Sequence, residues 1–162
     1  MIYTPWIWGE RSPVEDKTLR AGLYNLSLNN SREDIIRAFL EGIALNTRWV
    51  KAPMERFLKR GIDQINIVGG GAQSDVWCQI FADVMHARIR QVEDPVYANA
   101  RGAAWIGAVG MGEISFQDIP SLVRIKHEYI PDEKNASMYD ERYKQFIMIY
   151  DHMKSVYHQM NA

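Results

Sequence analysis

Three consecutive glycines, Gly69-Gly70-Gly71, stand between the β-branched run Ile65-Asn66-Ile67-Val68 and the segment Ala72-Gln73-Ser74-Asp75-Val76-Trp77. Nothing in that turn is a nucleophile; what it offers is bare main chain. Glycine reaches backbone angles closed to other residues and lets a ligand lie against peptide groups. The first amides of the following helix are unsatisfied donors that point outward, suited to a phosphate or another polar ligand group. A tight turn that binds nothing also uses glycine, but three in a row point to ligand approach.

The remaining chemistry-bearing residues do not assemble by spacing. His86, His127, His152 and His158 lack metal-ligand spacing, His152 and His158 being six apart and so off one helical face. No metal site and no catalytic residue is therefore assigned. There is no Gly-Lys-Ser/Thr phosphate loop and no serine in a nucleophile elbow. The single cysteine, Cys78, has no His or Asp placed to activate it and reads as a small buried hydrophobe.

The elements that hold the turn follow from periodicity. Ile65 to Val68 predicts a strand, and Val76, Trp77, Ile80, Phe81, Val84 and Met85 predict an amphipathic helix opened by Ser74 and Asp75. Ala87 to Val92 predicts a second strand, parallel to the first and joined to it by that helix in a right-handed crossover. Upstream, Ser31-Arg32-Glu33-Asp34 is a capping sequence before a long stripe from Ile35 to Phe57, interrupted by Pro53. A kink or break is expected near Lys51, with Gly61 as the stop. Glu33, Arg37, Glu41 and Arg48 fall outside the stripe and read as solvated. Residues 1–30 predict an anchored, extended loop with a short strand at Ile2–Thr4.

Downstream, the helix from Ala98 to Met111 carries Gly102, Gly107 and Gly110 among alanines, a surface suited to close approach by another backbone. Val123 to Ile130 alternates, as a peripheral strand or an extended arm. A last helix, about 136–160, presents Tyr139, Tyr143, Phe146, Ile147, Tyr150 and Tyr157, an aromatic row expected in the core.

Composition narrows the class. At 162 residues, 47% hydrophobic and 24% charged, the chain matches one ordinary globular domain. A net charge of −1, with no Lys/Arg run longer than two, gives no basic footprint for nucleic acid or an anionic membrane. No signal peptide or apolar span is visible, and a lone cysteine suits a cytoplasmic protein. The apolar, aromatic opening at Ile2 predicts a chain cut from something longer.

Two readings of the turn compete. Gly69-Gly70-Gly71 with Glu93 about 20 residues on resembles a dinucleotide fingerprint, in which Glu93 would bind ribose; but Ser74 replaces its third glycine, and a long helix precedes its strand. A non-catalytic nucleotide-binding or interaction module is a further alternative.

The stretch Ile67-Val68-Gly69-Gly70-Gly71-Ala72-Gln73-Ser74-Asp75-Val76-Trp77 resembles the adenosine-binding segment in the C-terminal domain of the FGGY carbohydrate kinases, the group of xylulose, gluconate and glycerol kinases. Gly9-Glu10-Arg11-Ser12-Pro13, Arg20-Ala21-Gly22-Leu23-Tyr24 and Asp34 to Gly42 resemble that family's second signature and the helix after it. Ala100-Arg101-Gly102-Ala103-Ala104 is similar to its Ala/Gly-rich helix, and Tyr139-Asp140-Glu141-Arg142-Tyr143 to its final helix. The likeness spans nearly the whole chain and is nearest to xylulokinase-like members; Asn25 and Phe39 depart from the usual signature.

The resemblance implies an actin-like ATPase (ribonuclease H-like) α/β fold, parallel strands with packed helices, of which residues 1–162 would be the latter part of the C-terminal, ATP-binding domain. It implies a kinase that passes the γ-phosphate of ATP to a sugar hydroxyl, with xylulose or a related sugar as substrate. By position Gly70 and Gly71 would lie against the nucleotide, Ala72 and Gln73 would flank the adenosine, and Asp75 stands where some members use Asn for a nucleotide hydrogen bond. The catalytic aspartate and most of the hold on Mg²⁺ would belong to an N-terminal kinase domain absent from this sequence. The chain alone is then expected to be inactive and, with apolar surface left open, able to self-associate as a homodimer.

Overall fold

The computed structural model describes residues 1–161. Ser31 starts its first long helix: Oγ accepts from the Asp34 N–H at 3.1 Å and Asp34 Oδ2 accepts from the Ser31 N–H at 2.9 Å, closing the expected capping box. The helix, α1 (Arg32–Leu58), runs through Pro53 without breaking. The proline removes one helical hydrogen bond, a cost of about 3 kcal/mol, but tethers on either side hold the path. Lys51 Nζ donates to the Met85 carbonyl at 2.8 Å, and the Glu55 carboxylate accepts from the Ile62 N–H at 2.9 Å. The stop is Lys59, left-handed at φ 53°, rather than Gly61; its N–H satisfies the Glu55 carbonyl.

A three-stranded sheet, ordered β3-β4-β5, carries the glycine turn. β3 (Gln64–Ile67) is parallel to β4 (Arg88–Val92), and α2 (Asp75–Met85) joins them as the sequence predicts. β5 (Ile125–Tyr129) is a strand rather than a loose arm, antiparallel to β4 with a register shift at Gln91/Val92. β3 therefore keeps one unpaired edge. Next to it Val50, Met54, Leu58, Ile62 and Ile65 line an apolar groove of about 330 Å³.

The N-terminal segment forms its own ribbon, β1 (Ile2–Thr4) antiparallel to β2 (Gly22–Tyr24). It crosses α1 at Gly42, where a Cβ would strike the Tyr3 carbonyl, so only glycine admits this crossing. Trp6 then drops fully into the core against Phe146, ring centroids 5.3 Å apart, and its Nε1 donates to Asn46 Oδ1 at 2.9 Å. Burying a side chain of this size contributes roughly 3 kcal/mol. Phe146 belongs to α5 (Glu133–Asn161), whose Tyr139 and Tyr157 are also buried, as expected of the aromatic row. Tyr157 shares a 2.6 Å hydroxyl–hydroxyl hydrogen bond with Tyr24, 133 positions away, and Asn161 Nδ2 donates to the Thr18 carbonyl at 2.9 Å. A smaller cluster of Cys78, Ala82, Ile89 and Tyr129 fills the space between α2 and the sheet.

Two further expectations are corrected. Glu41 is not solvated: at 3% exposure it accepts from Arg37 Nε at 2.7 Å and the Tyr139 hydroxyl at 3.0 Å, and pairs with Arg142. Arg48 likewise bonds Asp140 at 2.6 Å and lies 3.2 Å from His86, binding α1 to the end of α2 and to α5. Both look solvated in one helix because their partners on α5, Tyr139, Asp140 and Arg142, come from about a hundred positions on. The second correction concerns α3 (Ala98–Gly110): no residue of it is buried, and at Gly102, Gly107 and Gly110 an added Cβ would meet nothing within 4 Å. Among the described residues no backbone packs on that small-residue face. A short helix, α4 (Ile119–Leu122), leads into β5.

Candidate functional site

The chain leaves β3 at Val68 and turns at Gly69, whose φ of +92° is one that glycine adopts freely. The Gly69 N–H donates to the Pro95 carbonyl at 2.8 Å, pinning the turn to the loop after β4. A single 3-10 turn, Gly70–Gln73, follows, closed by the Ala72 N–H on the Gly69 carbonyl at 3.2 Å. Ser74 then caps α2, Oγ accepting from the Trp77 N–H at 3.3 Å. The amides of Gly70 and Gly71 precede the first bond of this turn and find no acceptor among the described residues. The sequence reading expects such donors in the first turn of α2; these two lie one turn earlier, in the glycines themselves.

The five residues marked by the sequence lie in different settings. Gly70 is exposed and an added Cβ would meet nothing within 4 Å, so its main chain is open to a ligand. Gly71 is covered: a Cβ there would run into the Trp77 ring, 2.7 Å from Cε3. Trp77 cannot easily withdraw, because its Nε1 donates to the Leu40 carbonyl of α1 at 3.1 Å and its ring rests on Phe81. Ala72 is 1% exposed, so any contact it makes with a ligand runs through its main chain. Its carbonyl accepts from Gln91 Nε2 at 2.7 Å, and the Cys78 thiol lies 3.6 Å away. Gln73 is exposed and folds back, Nε2 to the Gly70 carbonyl at 3.4 Å.

Asp75 is exposed but held. Oδ1 accepts from the Tyr129 hydroxyl at 2.8 Å and from Gln91 Nε2 at 3.3 Å, and these bonds keep the carboxyl below its ordinary range. With Gln91, Lys126, His127 and Tyr129 it lines an open recess of about 390 Å³. Gln91 and Tyr129 are absent from the sequence reading. One signal was there for Gln91: in a strand it falls two residues from Ile89, on the same, apolar face.

The other candidates lie elsewhere. Cys78 is fully buried beneath the turn, and burial, with Asp75 nearby, pushes its thiol up. His86 bonds Asp140 at 2.8 Å, His127 stacks edge-on with Tyr129, and His158 lies 3.8 Å from Asp16 Oδ2. Among the described residues no three His, Cys, Asp or Glu side chains gather as a metal site, and no helix is long and apolar enough to cross a membrane. Glu93 lines a separate recess of about 440 Å³ with Asp94, Arg101 and Trp105, away from Asp75. The chemistry on offer at the turn is that of two amides without acceptors among the described residues and one carboxylate that can only accept.

Comparison with known proteins identifies relatives of the whole chain. The model of the FGGY family of carbohydrate kinases, C-terminal domain, matches residues 1–111. A xylulose kinase of Bacillus subtilis is 29% identical over 160 residues, covering 96% of this chain and 31% of that protein. A gluconokinase of Bacillus licheniformis is 27% identical over 161 residues, covering 99% of this chain and again 31% of the relative. The crystal structure of xylulose kinase from Rhodospirillum rubrum superposes with a TM-score of 0.80 at 30% identity, over 97% of this chain and 31% of that one. The chain thus spans about a third of the length of these proteins, and the fold is the actin-like α/β fold of that group.

Proposed function

We propose, on the premise that the chain belongs to the FGGY family of carbohydrate kinases in the C-terminal domain matched by residues 1–111, that it is the nucleotide-binding portion of an ATP-dependent sugar kinase. The observation that carries the reading is the exposed Gly70 main chain, with the acceptor-less amides of Gly70 and Gly71, at the start of the turn into α2. Such donors suit an anionic or strongly polar ligand. ATP would supply the phosphoryl group for transfer to a sugar hydroxyl. The chain's own part is to bind and orient: the Gly70 main chain lies against the nucleotide, Trp77 backs the turn, Ala72 contributes main chain and Gln73 a polar side chain, and Asp75 accepts a hydrogen bond from the nucleoside.

The base that deprotonates the sugar and most of the hold on Mg²⁺ would come from an N-terminal kinase domain; among the described residues no three His, Cys, Asp or Glu side chains gather as a metal site. In this reading residues 1–162 are the latter part of the C-terminal domain, which is in keeping with their covering 31% of each relative. Relatives named for xylulose and gluconate bracket the substrate as a sugar or sugar acid, and xylulose or a related pentulose is the first to assay, in a cytoplasmic enzyme. Calorimetric titration of the chain with ADP and with NADH tests the reading. Saturable ADP binding with no response to NADH is expected; the reverse would restore the dinucleotide reading, and silence with both would overturn nucleotide binding.

A further inference from the structure

β4 carries an amide on its packed face. Ile89 and Gln91 are two apart and so point to the same side, where they are 1% and 0% exposed. An amide so deep costs stability unless its groups are paired. Gln91 Nε2 donates to the Ala72 carbonyl at 2.7 Å and to Asp75 Oδ1 at 3.3 Å, while its Oε1 accepts from the Tyr129 hydroxyl at 3.3 Å. That hydroxyl reaches Asp75 Oδ1 at 2.8 Å, so one hydrogen serves two acceptors, with the shorter and stronger bond to the carboxylate. Three residues from three elements thus converge on the glycine turn.

The Tyr129 ring has its own anchorage: it is 8% exposed, packs with Cys78, Ala82 and Ile89, and sits opposite Ile89 in the β4–β5 register. The hydroxyl is not needed to hold β5. What it does instead is fix a carboxylate at the mouth of the recess. Both protein donors land on Oδ1, so Oδ2 is the oxygen left for a ligand. The same contacts favour the ionised carboxyl, and burial first, with the Asp75 bond second, pushes the Tyr129 hydroxyl up, keeping it a donor. Lys126 and His127 flank the recess. A carboxylate only accepts, so the ligand group it meets is a hydrogen-bond donor, an amine or a hydroxyl of a nucleoside, and not a phosphate.

We propose that Tyr129 and Gln91 are positioning residues of the nucleotide site: they turn Asp75 so that Oδ2 is presented to a nucleoside donor, while Gln91 also braces the turn at the Ala72 carbonyl. This rests on the nucleotide-binding reading above. The test is ADP titration of the 162-residue chain by calorimetry, with thermal midpoints measured alongside, for Tyr129→Phe, Asp75→Ala and the double variant.

Each single variant is expected to weaken ADP by about tenfold, the scale of one hydrogen bond to a charged group. The double variant is expected to be no weaker than Asp75→Ala alone, because Tyr129 acts through Asp75. Tyr129→Phe with unchanged ADP affinity in a protein that binds ADP, or penalties that multiply in the double variant, would overturn the positioning role and leave the nucleotide reading intact. No ADP binding by the unaltered chain would overturn both. Inosine diphosphate lacks the exocyclic amine, and 2′,3′-dideoxyadenosine diphosphate lacks both ribose hydroxyls; the analogue that no longer senses Asp75→Ala identifies the donor. Sensitivity to Asp75→Ala undiminished with both would overturn the donor assignment.

Discussion

Adjacent glycines at the turn should fail in opposite ways when given a side chain. At Gly71 a Cβ collides with the Trp77 ring, which is fastened by its Nε1 bond to the Leu40 carbonyl and by Phe81 behind it. Gly71→Val must therefore displace an indole: overpacking costs about 1–3 kcal/mol and the lost hydrogen bond about 1 more, together roughly 2–4 kcal/mol. For a chain of this size that lowers the melting midpoint by roughly 4–16 °C. At Gly70 a Cβ meets nothing within 4 Å and the backbone lies outside the left-handed region, so Gly70→Val should leave the midpoint within about 2 °C. Its methyls stand where the nucleotide would lie, and ADP affinity should fall at least tenfold, about 1.4 kcal/mol. Thermal melts without ligand, followed by ADP titration of the folded variants, read the two effects separately. A Gly71→Val protein as stable as the original would refute the packing argument; a Gly70→Val protein that binds ADP normally would refute ligand approach at the turn.

Glu41→Gln should destabilise by about 2 kcal/mol, seen in urea unfolding, because Arg37 and Arg142 lose the carboxylate between them while staying partly solvated. Cys78→Ala should cost about 1–2 kcal/mol and leave ADP binding unchanged; the native thiol should resist aqueous thiol reagents until the protein unfolds, rapid labelling being the contrary result. Asp140 is held below the usual carboxylate range by Arg48 first and His86 second. Its contribution is present above the ordinary aspartate value, near pH 4, and is lost as pH falls through the lower folded value, so Asp140→Asn should flatten the acid-side loss of stability below about pH 4. With the β3 edge unpaired beside an apolar groove and Phe57 86% exposed, the chain should self-associate in sedimentation runs at micromolar concentration, and a strict monomer would count against that.

Local pattern made much of this molecule readable. The capping box at Ser31, the β3–turn–α2–β4 unit and the buried aromatics of α5 all follow from spacing within one element. What was not readable depends on partners far along the chain. Glu41 sits in a gap of the α1 stripe and looks solvated until Arg142 and Tyr139 arrive from α5. Pro53 predicts a kink or a break, yet the helix runs on through it, with Lys51 and Glu55 tethered on either side. At the site, the glycines announced themselves, but their division of labour did not: that Gly71 lies under Trp77 while Gly70 lies open is a matter of where an indole six residues beyond Gly71 comes to rest. Gln91 could have been found, as a polar residue in phase with Ile89; Tyr129 could not, since its role depends on β5 adding antiparallel beside β4.

The closing of α5 onto the first residues gives the molecule an order of assembly. Trp6 and Leu19 are fully buried, yet the surfaces that cover them include Phe146 and the Tyr157 end of α5. During synthesis at about 5–20 residues per second, roughly 7–27 s separate the emergence of Tyr24 from that of its partner Tyr157. Until then β1, β2 and the Trp6 segment can pair and lie on α1, but their core stays open on one side. The β3–α2–β4 unit, by contrast, is made of neighbours in sequence and can form as soon as it leaves the ribosome. The glycine turn would thus take shape early, in a molecule whose hydrophobic core is sealed only when its final helix arrives.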